Sequence, residues 1–314
     1  LEQAVELARS HGLPDQESRA LNNLCVIRTH FLGDLSQTWE HMQRAEELSR
    51  STGSVGIALF YGGNACFYSL LQGDLNWASE RLSALKEAQR ELPAAITSGL
   101  TVQAAQGMLL RQAGQLDEAL EHLRQLHQAA RQAGEYNTLY TTAIYFADAA
   151  LEIGKYYEEA LGMLDQLQRG HQYGGPVWPL AQIARLHAAR GDLAQARAVL
   201  SEARDKAGEQ SFGLSPVWLD LAEAQLARAE GMTEQASAAY QRCAQAAGKA
   251  GMSWHQAWVK RDWAEALIAG ANGQATEKAR ELLEEARSEF EACGAPIYAG
   301  RIQDLLKELG QPAS

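Results

Sequence analysis

The 314-residue chain predicts an all-α solenoid, on three observations. A glycine-led turn, Gly114-Gln115-Leu116-Asp117-Glu118-Ala119, has relatives that begin at Gly33, Gly73, Gly154, Gly191, Gly231 and Gly273. Taken in chain order the seven glycines are 40, 41, 40, 37, 40 and 42 residues apart, a period that marks stacked copies of one small unit. Alanine, leucine, glutamate, glutamine and arginine, all strong helix formers, are abundant, while aromatics make up only 7%. No run alternates apolar and polar residues as a half-buried strand does, and no Asn-Gly turn joins two such runs.

The elements follow in pairs. Residues 1–10 form an amphipathic helix, with Leu1, Ala4, Val5, Leu7 and Ala8 apolar, closed by His11-Gly12. The first helices of the pairs run 15–32, 54–72, 94–112, 135–153, 177–190, 216–230 and 254–270. The second helices run 35–51, 75–91, 116–132, 156–169, 193–207, 233–250 and 275–292. In the second helices a small residue comes five after the turn glycine: Thr38, Ala78, Ala119, Ala196, Ala236. Ala160 and Ala279 come at six, after a one-residue insertion. Four later stands a larger apolar residue (Met42, Leu82, Leu123, Leu164, Leu200, Tyr240, Leu283), and three later again Ala45, Leu85, Leu126, Leu167, Ala203, Cys243 or Ala286. Offsets of four and seven share one helical face, so each second helix is expected to touch its neighbour at the small residue and fill the widening gap with the others.

Glycines past the second helices (Gly12, Gly53, Gly134, Gly251, Gly294, with Gly174-Gly175 in an equivalent place) supply the left-handed C′ conformation. Pro93, Pro176 and Pro216 open the following helix, where a missing N–H does no harm. Gly62-Gly63 inside a helix is costly by propensity and predicts close approach of a neighbouring helix. Residues 295–309 form one more amphipathic helix, expected to cap the exposed core, and 310–314 a short tail. No cap precedes residue 1, so the chain is expected to be part of a longer protein.

A net charge of −11 and the lack of any Lys/Arg run argue against direct nucleic-acid binding. The amphipathic, charged start and the short apolar runs predict neither a signal peptide nor a membrane span. Cys25, Cys66, Cys243 and Cys293 are far apart with no CxxC, which suits reduced structural thiols in a cytoplasmic protein. The phosphate-binding, dinucleotide, zinc-protease and serine-hydrolase motifs are all missing, so a non-catalytic role with no cofactor and no metal is expected. His122 and His127, five apart, do not share a helical face suited to a metal.

Helix pairs with Gly-x-x-x-x-Ala at the turn and a large apolar residue four later resemble tetratricopeptide (TPR) repeats. GQLDEALEHL from Gly114 and GDLAQARAVL from Gly191 match best. Gly107, Ala147, Ala184 and Ala224, each seven before its turn glycine, match that family's small first-helix residue. The resemblance covers residues 1–294 and implies a right-handed α-solenoid of about seven TPR-like hairpins, with an extra N-terminal helix and a C-terminal capping helix. Units longer than the usual 34 residues, and the ending EEARSEFEACGAPIYAGRIQDLLKELG, resemble the TPR region of MalT-like bacterial regulators and related ATPase-containing or cyclase-linked signalling proteins. Those relatives imply a sensor or docking arm joined to further domains, with a protein or peptide partner or a small-molecule inducer.

One column rises above this background. Phe60, Trp178 and Trp218 each lie 13 before a turn glycine, and Trp258 follows Trp218 by 40. Seven residues further on stand Phe67, Arg185, Gln225 and Glu265. In the TPR resemblance these positions line the concave groove, where they can stack on a planar or sugar-like ligand or clasp a peptide. The competing expectation is that the tryptophans pack between repeats with their indole N–H groups satisfied locally. Tyr136, Tyr140, Tyr145 and Phe146, near Asp148, form a second aromatic cluster that reads as ordinary packing. The leading functional expectation is a sensing or docking arm of a bacterial signalling or transcription regulator. A stand-alone quorum-sensing type peptide receptor would need a groove rich in asparagine, for which only Asn22, Asn23, Asn64 and Asn137 are placed. A plain assembly scaffold is the third reading.

Overall fold

The turn glycine ends six of the seven first helices because a left-handed residue there frees the chain to reverse; the seventh, Gly273, instead opens the last second helix. Gly33, Gly73, Gly114, Gly154, Gly191 and Gly231 all have φ between 65° and 97°. In the computed structural model, which describes residues 1–90, 96–168, 175–209, 213–270 and 273–309, sixteen α-helices and one π-helical turn follow, with no strand among the described residues. Pro93, Gly174 and the 310–314 tail lie outside the described residues. The extra helix is α1 (Glu2–Ser10). The first helices are α2 (Pro14–Ile27, continued by a π turn over Arg28–Leu32), α4 (Val55–Gln72), α6 (Ile96–Gln112), α8 (Tyr136–Ile153), α10 (Val177–Arg190), α12 (Ser215–Ala229) and α14 (Ser253–Ala269). The second helices are α3 (Thr38–Ser51), α5 (Leu75–Arg90), α7 (Leu116–Ala133), α9 (Tyr157–Gln168), α11 (Leu193–Glu209), α13 (Thr233–Ala250) and α15 (Gly273–Ala292), and α16 (Pro296–Leu309) comes last.

Two boundaries shift for a local reason. Before α3 Gln37 takes φ 60° and before α9 Tyr156 takes φ 64°, so an extra left-handed residue delays the helix start. At Tyr156 this absorbs the one-residue insertion seen in the sequence.

The second-helix register holds at the level of packing. Ala78, Ala119, Ala160, Ala196, Ala236, Ala279 and Thr38 are all buried, as are the larger residues four positions on. The glycine pair in α4 is explained by contact on two sides. A Cβ on Gly62 would lie 2.7 Å from a Leu85 methyl and 2.8 Å from a Glu46 carboxylate oxygen. On Gly63 it would lie 2.9 Å from the backbone N of Val102, so α6 approaches α4 backbone to backbone.

Stacking continues until the two ends of the array meet. The Gly213 N–H donates to the His30 carbonyl at 2.7 Å, and the Leu75 N–H to the Cys293 carbonyl at 3.2 Å. The Trp254 indole donates to the Gln112 carbonyl at 3.2 Å, and the Tyr298 hydroxyl to the Arg111 carbonyl at 3.1 Å. Thus α14 and α16 lean on the ends of α4 and α6, and the concave side is enclosed. All four cysteines are free and buried; burial pushes the thiols of Cys25, Cys66 and Cys293 up to about 12 and that of Cys243 well up too.

Candidate functional site

First helices carry the concave face, so a residue at a constant offset from the turn glycine recurs along one interior column. At 13 before the glycine stand Phe60, Thr101, Thr141, Trp178 and Trp218; at six before it stand Phe67, Met108, Asp148, Arg185 and Gln225. Closure of the array divides the interior into two cavities of opposite chemistry.

The smaller cavity, about 220 Å³, lies among α2, α4, α6, α8 and α10. Asn22, Asn64 and Asn137 reach it, with Thr101, Thr138 and Thr141. Its apolar wall is Val26, Phe60, Phe67, Tyr68, Ala104, Tyr140, Ile144, Tyr145 and Trp178. Edge-to-face ring contacts brace that wall: Tyr145 lies 6.2 Å from Phe67 and 5.9 Å from Trp178, centroid to centroid. His30, on the π turn, completes it, and burial pushes the imidazole below its usual range, so it is neutral at pH 7. Among the described residues no protein group bonds the side-chain amides of Asn64 and Asn137. Asn22 donates at 3.4 Å to Asn23, which is exposed and does not reach the cavity.

The larger cavity, about 760 Å³, opens among α8, α10, α12, α14 and α16. Its walls include Glu152, Arg185, Gln225, Arg228, Trp258, Arg261, Asp262, Glu265 and Arg301. The groups form a chain along the six-before-glycine column. An Arg185 Nη1–Asp148 Oδ1 ion pair spans 2.7 Å, Arg185 Nε donates to Gln225 Oε1 at 2.9 Å, and Gln225 Nε2 donates to Asp262 Oδ2 at 3.1 Å. Arg261 closes it onto Asp262 at 2.8 Å and Glu152 at 3.2 Å. Burial opposes ionisation of Asp148, but Arg111 and Arg185 beside it hold its carboxyl below the usual range. Glu265 goes the other way: burial and then the charge of Asp262 push it up against Arg261 and Arg228.

Between the cavities lies a plug. Trp178 and Trp218, 8% and 5% exposed, stack face to face at 4.1 Å and 3°. Trp258, 3% exposed, is ringed by the guanidiniums of Arg111, Arg185 and Arg261 at 5.3, 5.2 and 5.6 Å. Arg111 is fully buried, paired loosely with Asp148 at 3.8 Å and Glu152 at 3.9 Å. Trp254 and His255 fill the remainder.

The eight residues singled out from the sequence therefore all face the interior but do not form one groove. Phe60, Phe67 and Trp178 line the small cavity; Arg185, Gln225, Trp258 and Glu265 line the large one. Trp218 lines a narrow void next to the plug. Among the described residues the indole N–H groups of Trp178 and Trp258 have no hydrogen-bond partner, so the expected local satisfaction does not occur there. The second aromatic cluster splits: Tyr140 and Tyr145 line the small cavity, Tyr136 donates to the Leu167 carbonyl at 3.0 Å, and Phe146 packs in the core. The sequence reading missed Arg111, Glu152, His255, Arg261 and Asp262. Asp148 was legible, because it holds the offset of Arg185 and Gln225 from the turn glycine. Arg111, three before its turn glycine and so off that offset, carried no such signal. Among the described residues no three His, Cys, Asp or Glu side chains gather as a metal site, and no helix is long and apolar enough to cross a membrane.

Comparison by sequence finds no match among family models or curated proteins. Comparison by structure finds a Rap protein complexed with competence and sporulation factor, with a TM-score of 0.55 and 13% identity, covering 98% of this chain and 94% of that one. A circular tandem repeat protein with novel repeat topology also matches over 98% of this chain and 86% of that one, at 15% identity and a TM-score of 0.20 too low to carry an argument. The likeness to the Rap protein shows the fold and carries no MalT-like specificity: the chain is a helical repeat solenoid of the same general arrangement.

Proposed function

We propose that this chain is a non-catalytic binding module whose small interior cavity anchors part of an extended peptide. One observation carries the reading: three of the four asparagines placed by the sequence converge on one aromatic cavity, two of them with amides that no protein group engages. A carboxamide both donates and accepts, so it can satisfy the alternating C=O and N–H of an extended chain while the rings take side chains. A neutral apolar ligand alone would leave those amides desolvated and unpaired. The reading promotes the peptide receptor over the sensing arm of a larger bacterial regulator that ranked first on sequence. The sensing arm is the second reading, favoured by the size and polarity of the larger cavity, which suits a small-molecule inducer. The four free, buried thiols suit a reducing, cytoplasmic setting for either reading.

The test is selection of a displayed random heptapeptide library on the purified chain and on the Asn64→Ala/Asn137→Ala variant, with far-UV circular dichroism to show that both are folded. The wild type is expected to enrich a consensus that the variant does not. No enrichment, or the same consensus on both, overturns the peptide reading.

A further inference from the structure

The two cavities differ in charge to a degree that constrains the ligand. None of the 16 residues lining the small cavity is Asp, Glu, Lys or Arg, in a chain of which 21% is charged. Nine of the 16 lining the large cavity are charged. The one titratable ring on the small cavity, His30, is kept neutral by burial, and Tyr68, Tyr140 and Tyr145 are pushed further from ionisation by the same cause. A charge brought into such a space loses its water and meets no counter-charge.

We infer that the segment anchored in the small cavity is electrically neutral: apolar or aromatic side chains on an uncharged stretch of peptide backbone, with both chain termini outside. This rests on the peptide reading above and names the ligand class for the same site. The buried charges of the plug, Arg111, Asp148 and Arg185, do not line this cavity, and Asp148 is shared between the two arginines at 3.8 and 2.7 Å. The cavity volume of about 220 Å³ matches a few side chains rather than a whole ligand, so selection acts on those anchors. Outside them, residues of either sign are tolerated.

The experiment uses the full chain and a synthetic peptide carrying the selected consensus. Four results are expected. The anchor positions are apolar or aromatic, and replacing an anchor with Lys or Glu weakens binding at least about tenfold. Acetylating the N-terminus and amidating the C-terminus leaves Kd within about threefold. Raising NaCl from about 50 to about 500 mM also changes Kd less than about threefold, since a neutral contact has little to screen. An Asn64- and Asn137-dependent consensus with Lys, Arg, Asp or Glu at the anchors, or a steep fall in affinity with salt, overturns this inference and leaves the peptide reading standing. A consensus independent of both asparagines overturns the two together.

Discussion

Among the described residues His255 is a buried base with no hydrogen-bond partner. Both ring nitrogens lack a hydrogen bond, the ring lies edge-on to Trp218 and Trp254, and burial, with Arg111 adding to it, pushes its pKa down to about 3. Asp148 pulls the other way and loses. In the unfolded chain a histidine takes up its proton below about pH 6.5. Between that pH and about 3 the unfolded state therefore holds more protons than the folded one, and stability falls as the pH drops. His255→Phe removes that linkage while keeping a ring in the site. Urea denaturation from pH 7 to pH 4 is expected to show the wild type losing ground to the variant by up to about 1.4 kcal/mol per pH unit. Parallel pH profiles would mean that His255 is not held neutral by the plug.

At the scale of one element, α4 shows how packing overrides propensity. A helix-interior glycine is worse than alanine by about 1 kcal/mol, so Gly63→Ala ought to stabilise if the helix stood alone. Its Cβ would instead lie 2.9 Å from the Val102 backbone N and 3.0 Å from the Thr101 carbonyl carbon, atoms that cannot rotate away. Overpacking of that kind costs about 1–3 kcal/mol, so a net loss of stability is expected in urea denaturation. A gain would show that α4 and α6 do not need their close approach. That approach also bears on the small cavity, because Thr101 and Asn64 sit on the two helices that it brings together.

For the whole molecule, closure of the array is what separates the cavities. At its seam the chain passes Gly213 so near Gly33 that a Cβ on Gly213 would fall 1.9 Å from the Gly33 N and 2.4 Å from the Leu32 carbonyl carbon. Gly213→Val therefore forces the segment before α12 away from the Leu32–Gly33 turn and loosens the closure. Small-angle scattering is expected to report a larger radius of gyration at unchanged helix content, and an unaltered radius would argue that the ends do not depend on this contact. The repeat and the helix pairing were legible in the sequence because turn glycines and the small-large-small face recur locally. The cavities were not, since Trp254 meets Gln112 and Tyr298 meets Arg111 across separations of 142 and 187 residues. A column offset places residues on the concave face but does not say what lies opposite them.

The sequence by itself determined the class, the number and phase of the helix pairs, the buried face of each second helix and the inward column from Phe60 to Glu265. These depend on helical period and turn geometry, which act over a few residues. Tertiary structure decided how that column is shared out. It put Trp178 and Trp218 against each other, bound Arg185 and Gln225 into a buried ionic chain, and left Asn64 and Asn137 facing a neutral cavity. The physical reason is the small rotation between successive units: each step is a local packing event, but only the accumulated turn brings the last repeats onto the first.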